Sequence, residues 1–348
     1  MTAAPWRGRR VLVTGHTGFK GAWLSSWLAQ LGAEVHGLAL PPEPGSCYEL
    51  CGVGDRVAST YVDVRDAGAV ADTMARVRPT VVFHLAAQAL VRRSYDDPLG
   101  TVATNVLGTA HVLDAVRRVG GVRAIVVVTS DKCYRPVAGR AHVEGDVLGG
   151  HDPYSASKAC AEIVTEAWGR SFLGPDIGLA TVRAGNVIGG GDRSLDRLVP
   201  DLIRALEQGQ PVRLRHPDAI RPFQYVLEPL QGYLMLAERL IEDPRRWSSP
   251  WNLGPDNAVP VRELVDYAMA AWGSGSWMPV SAEAGKPEAP VLVLDSTKAR
   301  QELGWAPRLT LKDAVGLTVE WYQQANADPG GARRAMADQL AKWMRAPS

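Results

Sequence analysis

Tyr154 and Lys158 stand four positions apart in Tyr154-Ser155-Ala156-Ser157-Lys158, a spacing that sets a phenol beside an ammonium on one face of a helix. A free tyrosine has a pKa of about 10, so it acts as a base near neutrality only where positive charge favours the phenolate. Lys158 can supply that charge, and the pair then suits the proton of a sugar or alcohol hydroxyl. The same spacing also arises by chance, so the context has to carry the argument. Ile125-Val126-Val127-Val128 runs into Thr129-Ser130-Asp131-Lys132, and a strand there would deliver four polar groups to one point. Ser130 can hydrogen-bond the hydroxyl whose proton Tyr154 removes, which leaves a hydride to pass to a nicotinamide. Asp131 and Lys132 exceed that need and suggest a second step. Oxidation to a ketone acidifies the neighbouring C–H, so one group can remove that proton while the other protonates a departing hydroxyl. Lys132 would have to shed its own proton first. The plainer alternative is that Asp131 and Lys132 pair with each other and shape the loop.

A dinucleotide cradle is expected upstream. Arg10 to Thr14 reads as an apolar strand, and Gly15-His16-Thr17-Gly18-Phe19-Lys20-Gly21 as a turn opening a helix. Gly15 would allow the tight turn, Gly18 would let the backbone approach a pyrophosphate and Gly21 would let the helix pack on the sheet, with helix N–H groups facing the phosphates. Asp63, after a later strand, could accept from an adenine amino group, or simply cap the helix that follows. An acid that binds ribose hydroxyls is expected after the second strand, yet that region reads Gly37-Leu38-Ala39-Leu40-Pro41-Pro42. No arginine stands there either, so pattern alone leaves the choice between NAD and NADP open. Asn186, Arg193, Arg197 and Arg221 suit carbonyl or phosphate recognition, although each could equally be a solvated surface residue.

Strand-like and helix-like segments alternate through the first 185 residues, the mark of a parallel sheet with helices on both faces. Strands are expected at Val11 to Thr14, Glu34 to Leu40, Val57 to Val62, Val81 to Ala86, Ala124 to Thr129 and Leu179 to Arg183. Helices are expected at Ala22 to Leu31, Ala67 to Val77, Ser94 to Val119 and Tyr154 to Arg170. The first strand is expected at the sheet edge, with ligands at the strand carboxyl ends. From residue 186 a smaller, mostly helical lobe is expected, with helices at Leu198 to Gln208, Pro229 to Ile241 and in the tail, and strands at Val212 to Arg215 and Val291 to Leu294. Trp251 to Gly254 should lead back to the main sheet.

With 348 residues, 38 Lys plus Arg and 37 Asp plus Glu, the near balance of charge gives no case for nucleic acid or membrane partners. No apolar run approaches the length of a membrane span, and a cytoplasmic location is expected. Cys47, Cys51, Cys133 and Cys160 lack CxxC spacing, so free thiols and no metal site are expected.

Taken together, Gly15 to Gly21, His84-Leu85-Ala86-Ala87-Gln88 with Leu90-Val91-Arg92, Thr129 to Tyr134, Leu148 to Lys158 and Arg183 to Asp192 resemble the extended short-chain dehydrogenase/reductases acting on nucleotide sugars, in particular their 4,6-dehydratases. Asp131-Lys132 separates this chain from the dTDP-glucose branch, which carries Asp-Glu there. The resemblance implies an α/β, Rossmann-type doubly wound sheet, with 1–185 binding NAD and 186–348 binding substrate. It implies CDP-glucose as substrate, a homodimer through the helices around Ser94 to Val119 and Tyr154 to Arg170, and catalysis by Ser130, Asp131, Lys132, Tyr154 and Lys158. NAD contacts fall to Gly15, Thr17, Gly18, Phe19, Lys20, Gly21, Asp63, Val64, Leu85, Ala86, Ala87, Tyr154 and Lys158. Substrate contacts fall to Gln88, Arg92, Asn186, Arg193, Arg197 and Arg221. Phe223, Tyr225 and the loop Arg135 to Asp146 depart from the family pattern where substrate recognition is expected. Two alternatives remain: a 4-epimerase, which would not need Asp131 and Lys132, and a dinucleotide sensor without catalysis.

Overall fold

The computed structural model describes residues 4–137, 139–255, 258–281 and 292–346. Six strands, β1 (Arg10–Thr14), β2 (Glu34–Ala39), β3 (Ala58–Tyr61), β4 (Val81–His84), β5 (Ala124–Val128) and β6 (Gly178–Arg183), alternate with helices and pair in parallel. Pro250–Asn252 returns from the C-terminal part to pair with β6, which completes the order 250–252, β6, β5, β4, β1, β2, β3. The chain therefore winds outward from β1 to β3 and then resumes beside β1 with β4. That reversal opens a crevice at the carboxyl ends of β1 and β4.

The first strand is central, not at the edge. Val11 to Thr14 are buried on both faces, whereas β3, the true edge, is partly exposed. The expected long helix at Ser94 to Val119 is also interrupted. Asp97 leaves the helical region ahead of Pro98, at φ −135° and ψ 73°, ending the helix Val91–Asp96, and its carboxylate caps the next one through Gly100 N–H. A π turn at Ala103–Leu107 precedes the last segment, Gly108–Val119.

The C-terminal part supplies helices Leu198–Glu207, Leu227–Glu242, Val261–Trp272, Leu311–Ala327 and Gly331–Arg345, with short strand pairs between them. The expected strand near Leu294 is a single bridge to His142, and Val291 lies outside the described residues. One apolar cluster runs from Trp6 and Trp23 through the sheet to Trp321 and Trp343, so both parts share a core. The four cysteines are free. Among the described residues no helix is long and apolar enough to cross a membrane, and no cluster of His, Cys, Asp and Glu could hold a metal.

Candidate active site

After β1 the chain turns at Gly15 with φ +74°. A Cβ there would lie 2.7 Å from Ala86 N, so glycine alone lets the ends of β1 and β4 meet. Gly18 is different: it is exposed, a Cβ would approach only the Gly15 carbonyl oxygen at 3.4 Å, and it starts the helix Phe19–Gln30, hereafter α1, with no side-chain cap. Bare backbone and uncapped N–H groups fit a dinucleotide pyrophosphate. Gly21 abuts the Gly15 carbonyl and seats α1 on the turn. Thr17 Oγ1 donates to Leu40 O at 3.1 Å, tying the cradle to the end of β2. Phe19 and Lys20 line the adjoining cleft. Burial, with the Lys158 and Arg197 charges, lowers the Lys20 ammonium to about 7.

Beneath the cradle Thr109 Oγ1 donates to Asn105 O, so it accepts from His84 Nε2–H at 3.0 Å. His84 Nδ1 then accepts from Thr14 Oγ1 at 2.7 Å, and Thr14 accepts from Leu85 and Ala86 N–H. One neutral tautomer satisfies every group, and burial holds the imidazole down at about 3. His16 occupies the space left by Gly37, bonds Ser59 Oγ through Nε2 and is lowered by burial to about 4.

The catalytic candidates converge on a cleft of about 380 Å³ lined by Ser130, Asp131, Lys132, Tyr154 and Lys158. Asp152 caps the helix Pro153–Ser171 through Ser155 N–H at 2.9 Å, which starts the helix just before Tyr154. Beyond β5, Ser130 Oγ donates to Asp131 Oδ1 at 2.8 Å, and Lys132 Nζ lies 3.6 Å from Asp131 Oδ2. Asp131 is buried, while the Lys132 side chain is 23% exposed and borders the cleft. The two residues therefore pair with each other, and they do so in the cleft. Tyr154 is 7% exposed. Burial pushes its phenol up to about 12, with the hydrogen bond it shares with Ser130 and the Arg197 charge pulling it back. Lys158 donates to Val128 O at 3.2 Å, and burial lowers it to about 8 against the opposing Glu162 charge.

Glu162, one turn beyond Lys158, anchors this end of the sheet. Its carboxylate accepts from Thr129 Oγ1, from Thr181 Oγ1 at 2.7 Å and from Arg183 Nε and Nη2 at 3.0 and 2.8 Å. Arg183 Nη1 also donates to Tyr134 Oη at 2.6 Å, just past the Asp131–Cys133 turn. Arg183 and Glu162 are 3% and 4% exposed.

The family model described as the NAD dependent epimerase/dehydratase family matches residues 11–254, a span that holds the cradle, Ser130, Tyr154 and Lys158. This chain belongs to that family. It is 46% identical over 332 residues, 91% of each chain, to the CDP-glucose 4,6-dehydratase of Salmonella typhimurium. Among solved structures it resembles the dTDP-glucose 4,6-dehydratase of Streptomyces venezuelae with NAD and TYD bound, at 25% identity and TM-score 0.78 over 91% of this chain and 98% of that one. It also resembles the UDP-glucose 4-epimerase of Thermus thermophilus in complex with NAD, at 26% identity and TM-score 0.77, over 90% and 99%.

In this member of the family, Leu85, Ala87, Arg92, Asn186, Arg197 and Arg221 also line the cleft. Asn186 has φ +46°, a left-handed backbone that asparagine tolerates. Arg197 pairs with Asp192 at 3.3 Å and Arg92 with Asp196 at 3.5 Å. Other residues expected at the site do not line this cleft. The Gln88 amide is engaged by Leu90 in its own loop and by Thr101 of the helix Pro98–Val102, and Arg193 is outside the lining residues. Asp63 accepts from Arg65 N–H and its guanidinium, while Asp66 caps the following helix. Val64 packs on Gly108. Of the two departures from pattern, Phe223 lines the cleft, but Tyr225 is buried with its hydroxyl on Gln339. No described residue of the loop 135–146 lines it; His142 of that loop pairs instead with 293–295. Sequence reading missed Tyr95, Asp192 and Arg215 as lining residues. Arg215 had a usable signal, since it follows a short apolar strand.

Proposed function

We infer that this protein is an NAD-dependent lyase, a nucleotide-sugar 4,6-dehydratase that converts CDP-glucose to CDP-4-keto-6-deoxyglucose. The carrying observation is Asp131 and Lys132 together in the cleft beside Ser130, two groups an epimerase has no use for. Gly15 to Gly21, Leu85 to Ala87, Tyr154 and Lys158 would hold NAD, which would supply the acceptor for the C4 hydride and its donor to C6. Tyr154 takes the O4 proton while Ser130 orients that oxygen. Lys132 then removes the C5 proton, Asp131 protonates the departing O6 and water leaves. Lys132 returns its proton to C5. Arg92, Asn186, Arg197 and Arg221 line the same cleft, which supports a role for them in holding the pyrophosphate and sugar. Residues 1–185 form the cofactor part and 186–348 the substrate part.

A homodimer is supported by apolar side chains left outward on the expected contact helices: Leu99 is 82%, Ile163 56% and Leu107 52% exposed. A cytoplasmic location fits the four free thiols. The deciding assay incubates holoenzyme with CDP-, dTDP-, GDP- and UDP-glucose and follows the alkaline absorbance of a 4-keto sugar. The expected signal is strongest with CDP-glucose; conversion to a C4 epimer without keto sugar would overturn the proposal.

A further inference from the structure

The hydride in this reaction is borrowed and returned, but the proton account is open. Tyr154 ends the oxidation holding the O4 proton, and Asp131 ends the elimination one proton short. A hydrogen-bonded path already joins the two. Ser130 is a hydrogen-bond partner of the Tyr154 phenol, and Ser130 Oγ itself donates to Asp131 Oδ1 at 2.8 Å. With its own proton on Asp131 and one lone pair taken by Lys132 N–H, Ser130 Oγ keeps a second lone pair that can accept from the Tyr154 hydroxyl. The other carboxylate oxygen, Oδ2, faces Lys132 Nζ at 3.6 Å. Ser130 and Asp131 are 6% and 2% exposed, so bulk water has poor access to either group.

We propose that Ser130 relays the proton that Tyr154 takes from O4 to Asp131, so that the same proton leaves in the water lost from C6. This rests on the dehydratase function proposed above. In the step, the Tyr154 O–H bond breaks toward Ser130 Oγ and the Ser130 O–H bond breaks toward Asp131 Oδ1. The Asp131 proton passes to O6 as the C6–O bond cleaves. Tyr154 is left as phenolate, Ser130 is unchanged, Asp131 is again a carboxylate, and no outside acid is consumed. A departing hydroxide is a stronger base than a phenolate, so the transfer is favourable when it runs in concert with that cleavage. It also readies Tyr154 for the next sugar.

The test uses holoenzyme with CDP-glucose and follows bound reduced cofactor and keto-sugar product by stopped flow and rapid quench, while imidazole buffer is varied at fixed pH and ionic strength. Wild type should be indifferent to buffer concentration. In Ser130→Ala, with bound NAD confirmed equal to wild type, product formation should slow by about 10²-fold and then recover in proportion to imidazole, because a small acid replaces the relay. Ser130→Thr, which keeps a hydroxyl, should regain buffer independence. A slow Ser130→Ala enzyme whose rate ignores buffer would leave Ser130 an orienting group and overturn the relay. Wild type making no keto sugar is a different result, and it would overturn the dehydratase function itself.

Discussion

Tyr154 is the residue on which both half-reactions converge, and its surroundings tell against a ready-made phenolate. A phenol raised to about 12 is protonated at neutral pH in the resting enzyme, so it has to give up that proton before it can take the one on O4. Tyr154→Phe should keep NAD affinity, measured by titration, because the cradle is backbone at Gly15 to Gly21. It should lower kcat by about 10²- to 10⁴-fold. Loss of NAD binding in that variant would recast Tyr154 as a cofactor ligand first. That this residue, Ser130, Asp131 and Lys158 would share one cleft was legible in the sequence, because residue type and helix or strand spacing constrain them. Their hydrogen-bond partners were not. Nothing in YxxxK announces that Lys158 would turn to the Val128 carbonyl, since that depends on how closely the helix lies over β5.

The elements themselves were mostly legible. Alternating apolar runs marked all six strands from β1 to β6, and the return of Trp251 to the sheet was visible as a strand and turn. What failed was partly non-local. The central place of β1 depends on contacts between distant segments, which local pattern carries poorly, whereas the break at Pro98 is local and is set by Asp97 and the proline. Glu162 likewise gave no signal, reading as an ordinary helical charge until β5 and β6 closed around it. Removing one partner of a buried ion pair costs about 3–5 kcal/mol. Glu162→Ala should destabilise the protein by that amount in urea melts, because it strands the Arg183 guanidinium and two threonine hydroxyls together. A change below about 1 kcal/mol would mean that the pair behaves as if solvated.

For the whole molecule, buried neutral histidines set the acid limit. His84 stays unprotonated in the folded state down to about 3 and His16 to about 4, whereas unfolded histidine takes a proton near 6.5. Below that value the unfolded chain binds more protons, so stability is fully present above about pH 6.5 and is lost as pH falls. The slope is up to about 1.4 kcal/mol per pH unit for each histidine. Urea midpoints measured from pH 7 to pH 5 should decline, and His84→Gln should flatten that decline; an unchanged slope would exclude His84 as its source. At the same scale, Leu99→Glu with Ile163→Glu should shift sedimentation from dimer to monomer. A persistent dimer would put the interface on another face. The strand Pro250–Asn252 has a consequence for biosynthesis. While the polypeptide is being made, β6 leaves the ribosome well before its outer neighbour exists, so its flank waits unpaired and open to a chaperone or a second nascent chain.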